Sequence, residues 1–184
     1  MPRTTAARPL LVVAAAVTIA LAGCVPEPEP DPTPTPEPSA LFDSEEEALA
    51  AAEDAYAAYL EMSDEIARQG WEAPESLEKW VAEPLLSQEL EDASDLAEQG
   101  LRQTGESKFG ELKVERYEDS QGATVLSAFV CRDLTGTDIL DEEGVSVLAP
   151  DRVQRVSLRV VLETTGAAPF KVTRSETWTG DGVC

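Results

Sequence analysis

The spacing of apolar residues changes period near Gly105, and that switch limits what the chain can fold into more than any other feature. Upstream, apolar side chains recur at steps of three and four residues, the repeat of amphipathic helices; downstream they alternate, the repeat of half-buried strands. Helices gathered first and strands gathered after specify an α+β domain, since such a sheet can bury one face only under the helices. The domain is read as residues 41–184, a length that suits one core.

Ser44 precedes Glu45, Glu46 and Glu47, so a capping hydroxyl stands three residues before a glutamate and acids crowd the positive end of a helix dipole. Leu49, Ala52, Tyr56, Tyr59, Leu60, Ser63 and Ile66 then form one stripe that Gly70 closes, with Glu53, Asp54, Glu61, Asp64 and Glu65 falling largely outside it. Pro74 suits a first helical turn, and Leu77, Trp80 and Val81 predict a short second helix ended by Pro84. Pro84 also opens a third, in which Leu86, Leu90, Ala93, Ala97 and Leu101 keep helical spacing. Three helices are therefore expected before any strand.

Beyond Gly105, Leu112 and Val114 alternate with Lys113 and Glu115, and Gln121-Gly122 offers a turn. The next strand is apolar on both faces, Val125, Phe129 and Cys131 alternating with Leu126, Ala128 and Val130, which predicts a central position in the sheet. Residues 133–150 read as a hairpin-like excursion reversed by Asp141-Glu142-Glu143-Gly144. Val153–Glu163 is the clearest half-buried strand, with Val156, Leu158, Val160 and Leu162 on one face. A turn at Gly166 leads to a last strand over 170–179. There Arg174 and Glu176 share parity with Phe170, Val172 and Trp178, as either a buried polar pair or an exposed cross-strand couple.

Ahead of the domain, Arg3 and Arg8 followed by the apolar run Leu10–Ala22 read as a signal peptide over 1–23. The run ends in Leu21-Ala22-Gly23-Cys24, which looks like a lipobox: cleavage before Cys24 and diacylglyceryl transfer to its sulfur would tether the mature chain to a membrane. The run falls short of the about 20 apolar residues of a spanning helix, so an uncleaved anchor is the alternative with less in its favour. Residues 24–40 form the acidic linker, with proline at every second position from Pro26 to Pro38. Polyproline II geometry would extend it to roughly 40 Å, a semi-rigid spacer, with a proline-rich recognition ligand as the alternative.

Charge narrows function further. Formal net charge is −22, and loss of Arg3 and Arg8 with the signal peptide takes it to −24. Residues 24–100 hold 22 acidic side chains against Arg68 and Lys79, while 101–184 hold 14 against 10 basic ones. Nucleic acid is excluded as a partner, because a phosphate footprint needs clustered Lys and Arg. Histidine is absent, which removes Ser-His and Cys-His mechanisms and the commonest metal ligand. With Cys24 in the anchor, Cys131 and Cys184 remain as a single possible pair, a disulfide in an oxidising compartment and otherwise two free thiols.

No metal or cofactor is expected. A calcium loop starting at Asp133 would need glycine at its sixth position and an acid at its twelfth, where Asp138 and Gly144 stand. Tyr56, Tyr59, Trp71 and Trp178, with Asp133, are the candidate pocket residues, although aromatics in a domain with 5 % of them serve chiefly as core.

Gly100-Leu101-Arg102-Gln103-Thr104-Gly105, Val130-Cys131-Arg132-Asp133 and Glu176-Thr177-Trp178-Thr179-Gly180 are local features through which residues 41–184 resemble the nuclear transport factor two-like fold, also called cystatin-like or SnoaL-like, in exported lipoproteins of high-G+C Gram-positive bacteria. The resemblance implies three N-terminal helices packed on a curved, cone-shaped antiparallel sheet. That family includes isomerases, cyclases and dehydratases with an Asp general base in the mouth of the cone, and also binding and accessory domains. No catalytic pattern carries over; Asp133 is the one base that could be proposed, and a strand-end turn explains it equally. The expectation is a lipid-anchored, extracytoplasmic, non-enzymatic module that binds an envelope protein or a small molecule. The alternative is a small carboxylate-dependent isomerase, dehydratase or hydrolase working in an aromatic pocket.

Overall fold

A computed structural model describes residues 40–184. The expected signal peptide over 1–23, the expected acylation site Cys24 and all but the last residue of the linker 24–40 lie outside the described residues.

Helix α1 spans Glu45–Arg68. Its start follows from two acceptors and a charge effect: Ser44 Oγ receives the Glu47 N–H at 3.2 Å, the Glu47 carboxylate reaches back to the Asp43 N–H at 2.9 Å, and Glu45 to Glu47 occupy the positive end of the dipole. Its end is a Schellman motif, in which Trp71 N–H donates to Ile66 O (2.8 Å) and Gly70 N–H to Ala67 O (3.2 Å). Gly70 supplies the left-handed φ of 77° that this geometry requires.

The expected second helix is a six-residue 3-10 segment, Pro74–Lys79, which buries Leu77. The chain then straightens: Ala82 N–H donates to Val172 O (3.0 Å) and Val172 N–H to Trp80 O (2.8 Å), so Val81 is buried as a strand-like rider on the sheet edge rather than on a helix face. Helix α2, Leu85–Glu98, buries Leu85 and Ala93, while Leu86 and Leu90 are half-buried and Ala97 is exposed. The contact stripe is therefore turned from the one that the apolar residues predicted, onto the Leu85–Glu89–Ala93 side.

Seven strands follow: β1 Arg102–Thr104, β2 Lys108–Phe109, β3 Lys113–Ser120, β4 Ala123–Asp133, β5 Asp138–Leu140, β6 Arg155–Thr165 and β7 Lys171–Thr177. The main sheet is antiparallel in the order β2-β4-β6-β7, with β3 on the same edge of β4 as β2. β4 is central, as its two apolar faces predicted. β1 and β5 make a separate two-stranded ladder beside it, too short to announce itself in the sequence. The turn over 141–144 does reverse the excursion, joining Leu140 to Ser146.

Register decides which side chains meet the helices. Leu126, Ala128 and Val130 of β4 stand opposite Leu162, Val160 and Leu158 of β6, and this inner face packs with Ala48, Ala52, Tyr56, Tyr59 and Leu60 of α1. Burial of each large apolar side chain contributes roughly 1.5–3 kcal/mol. The result is helices packed on one face of an antiparallel sheet, an α+β architecture. The outer face carries Phe129 and Cys131; Trp178 lies against Phe129 (centroids 4.7 Å apart), and Cys131 is bonded to Cys184 across a Cα–Cα distance of 5.0 Å.

A bulge in β7 changes one expectation. Val172 pairs with Leu162 but Arg174 with Val161, so Thr173 is an extra residue and parity flips beyond it. Arg174 and Glu176 consequently point away from the face of Val172 and are exposed, not a buried polar pair.

Candidate functional site

The inner face of β4 runs Leu126, Ala128, Val130 and then Arg132, so an apolar row ends in a guanidinium. On the facing side, α2 presents Glu89 between Leu85 and Ala93, one turn from each. Tyr59 of α1 reaches between them and donates its hydroxyl to Glu89 Oε1 at 2.8 Å. A cavity of about 310 Å³ opens here, walled by Tyr59, Leu85, Glu89, Asp92, Arg132 and Leu158 among others.

Arg132 is half-buried. Its Nη2 donates to Ser107 Oγ at 3.4 Å, its Nε is buried without a hydrogen-bond partner, and among the described residues no carboxylate lies within the 4.0 Å of an ion pair. Behind Tyr59, Tyr56 is fully buried, its ring edge-on to Phe109 (5.0 Å) and its hydroxyl without a partner. Burial pushes the Tyr56 phenol up to about 12, with Arg132 opposing and Glu89 adding to the effect. Tyr59 is raised further, by burial first and then by the Glu89 charge beside it.

These shifts give a pH prediction. The unfolded chain ionises its phenols near 10.0, whereas folded Tyr56 holds its proton to about 12. Stability from the neutral phenols is whole below 10.0 and is lost as pH rises through about 12. Tyrosinate absorbance from two of the three tyrosines should therefore appear only together with loss of circular dichroism; full ionisation of all three in an intact fold would contradict the burial.

A larger open groove, about 440 Å³, runs beside Asp64, Arg68 and Phe109. Asp64 is 3 % exposed, although its sequence position had placed it outside the buried stripe. Both its oxygens are engaged, by Gln103 Nε2 (2.7 Å), Ser107 N–H (2.7 Å) and Ser107 Oγ (3.0 Å). Its role is to tie α1 to the segment around β1 and β2.

The five expected pocket residues do not converge. Tyr59 lines the 310 Å³ cavity and Tyr56 stands behind it. Trp71 lines a different cavity of about 200 Å³, across α2, that shares Glu89 and Asp92. Trp178 lies on the outer face of the sheet against Phe129. Asp133 shares that outward parity; hydrogen bonds from Thr135, whose N–H is 2.8 Å away, hold its carboxyl below the usual range, a poor setting for a general base. Cys24 lies outside the described residues.

Arg132 and Glu89 are the residues that sequence reading missed, and both left a signal. Arg132 continues the even-numbered series of Leu126, Ala128 and Val130, and Glu89 sits four residues from both Leu85 and Ala93. The wall thus combines one cation, two carboxylates and an apolar floor. Ser175 adds a hydroxyl to it, without a hydrogen bond to a carboxylate among the described residues. Among the described residues no group of three or more His, Cys, Asp or Glu is placed to hold a metal ion, and no helix is long and apolar enough to cross a membrane.

No protein-family model and no curated protein matches the chain. Among solved structures, the intermembrane space region of the chloroplast protein ARC6 is similar with a TM-score of 0.52 at 12 % identity, over 72 % of this chain and 97 % of that one. CagV, a VirB8 homologue of the T4SS from Helicobacter pylori, aligns over 72 % of this chain and 99 % of its own at 13 % identity, with a TM-score of 0.39. The first is a likeness of fold; the second is too distant to argue from.

Proposed function

We propose that the chain is a lipid-anchored binding or accessory module on the extracytoplasmic face of a membrane, without catalytic activity. One observation carries the non-catalytic part. The inner face of the sheet is filled by its own side chains, and at the remaining cavity Glu89 accepts from Tyr59 and Arg132 donates to Ser107, with no base–nucleophile pair among the described residues. The anchor rests on Leu21-Ala22-Gly23-Cys24, and the proline-rich linker supplies the reach to lift the domain off the lipid. The strongly acidic body favours a partner with a cationic face, which electrostatic complementarity would steer.

The test is affinity capture with tagged full chain from detergent-solubilised envelopes. An envelope protein recovered in stoichiometric yield, and lost at high salt, is the expected result; no enrichment at high bait concentration overturns the partner reading. The Tyr59–Glu89 pair beside Arg132 favours a second reading, a small carboxylate-dependent isomerase, dehydratase or hydrolase. Turnover of a carbonyl or ester substrate that disappears in Glu89→Gln would establish it.

A further inference from the structure

We propose that the cavity between α2 and the Arg132 end of the sheet binds a small zwitterion with an apolar side chain, of the size of a free α-amino acid. This rests on reading the domain as a binding module and gives that module its ligand class.

Opposite charges face the same space without meeting. Arg132 lines the cavity together with Glu89 and Asp92, yet it forms no ion pair within 4.0 Å among the described residues, in a chain with 36 acidic side chains. Two charges of opposite sign free to move would close on each other. Here Glu89 is held on one wall by the Tyr59 hydroxyl at 2.8 Å, and the Arg132 guanidinium leans on Ser107 Oγ at 3.4 Å. The buried, unpartnered Nε of Arg132 is a second sign that this side chain is incompletely satisfied by the protein itself.

Such a wall discriminates by charge. A guanidinium takes a carboxylate through paired N–H donors, and two carboxylates take an ammonium group. A simple anion entering the cavity would meet Glu89 and Asp92, and a simple cation would meet Arg132; a molecule carrying both charges escapes both repulsions. The same cavity is lined by Leu85, Val156 and Leu158, which suit an aliphatic side chain. At about 310 Å³ the cavity is at the small end of ligand sites, which span about 300–1,000 Å³. That size admits an amino acid.

Calorimetry on the full chain in lipid nanodiscs tests this with three probes: L-leucine, L-leucinamide, which lacks the carboxylate, and N-acetyl-L-leucine, which lacks the ammonium. Leucine should bind saturably with one site per chain, and each analogue at least about tenfold more weakly. Arg132→Gln should weaken leucine by a similar factor and bind leucine and leucinamide alike. Asp92→Asn, at an exposed position of α2 where folding is not at stake, should weaken leucine while its unliganded melting temperature stays at the wild-type value. No saturable heat with leucine up to about 10 mM, or equal binding of all three probes, overturns the proposal. Capture of an envelope partner without leucine binding would sink only the ligand class, whereas leucine binding without capture would sink only the partner reading.

Discussion

Phe170→Ala is expected to destabilise the domain by about 3–5 kcal/mol, the range for deleting a buried aromatic side chain. Phe170 is 1 % exposed and immediately precedes β7, where its ring stacks on Phe42 at 5.5 Å with the planes 9° apart. Phe42 belongs to the lead-in to α1, and that lead-in is otherwise held by the Leu41 and Phe42 N–H groups donating to Asp119 on β3 (3.0 and 3.4 Å). The substitution therefore opens a cavity in the core and also loosens the first residues of the domain, adding the loss of an aromatic pair. Against a total of about 5–15 kcal/mol for a domain, this is a large fraction. Chemical denaturation with an unchanged m value measures it; a loss under about 1 kcal/mol would contradict the burial of this ring.

Removing the Cys131–Cys184 bridge is the second large effect. The cysteines are 53 positions apart in sequence, and closing a loop of that length restricts the unfolded chain by roughly 4 kcal/mol on the chain-entropy model. Folded-state contacts on the outer face add to this. The bridge holds the segment after β7 against the sheet, where Lys113 Nζ donates to Gly182 O at 2.7 Å and Trp178 packs on Phe129. The double variant Cys131→Ser, Cys184→Ser should lose about 4 kcal/mol, and reduction of the wild type should reproduce it. Stability insensitive to both treatments, or two alkylatable thiols in the unreduced mature protein, would contradict the bridge.

The sequence revealed the elements in which local signals agreed. Ser44 and Glu47 set the start of α1, Gly70 its end, and the two-faced apolar pattern of Ala123–Asp133 the central strand. It misled where tertiary contacts override local pattern. Leu77, Trp80 and Val81 have helical spacing, but Val81 forms a bridge with Val172 instead, because the edge of β7 offers backbone partners there. The bulge at Thr173 carries no residue signature, and it reverses the faces of Arg174 and Glu176. A charged residue type carries no signal of burial, which hides Asp64, Glu89 and Arg132; each lies in register with buried apolar neighbours, and each is half-buried or more. Aromatic type says as little about position, and Trp71 and Trp178 lie in separate places.

Whether the domain works at a membrane surface depends on Cys24. Intact mass of the chain extracted from membranes, paired with fractionation of Cys24→Ala, tests this directly. A polypeptide beginning at Cys24 with a diacylglyceryl group on its sulfur, and a Cys24→Ala variant released as a soluble folded domain, is the predicted result. An unmodified Cys24, or a Cys24→Ala variant that still sediments with membranes after its signal peptide has been removed, would contradict it.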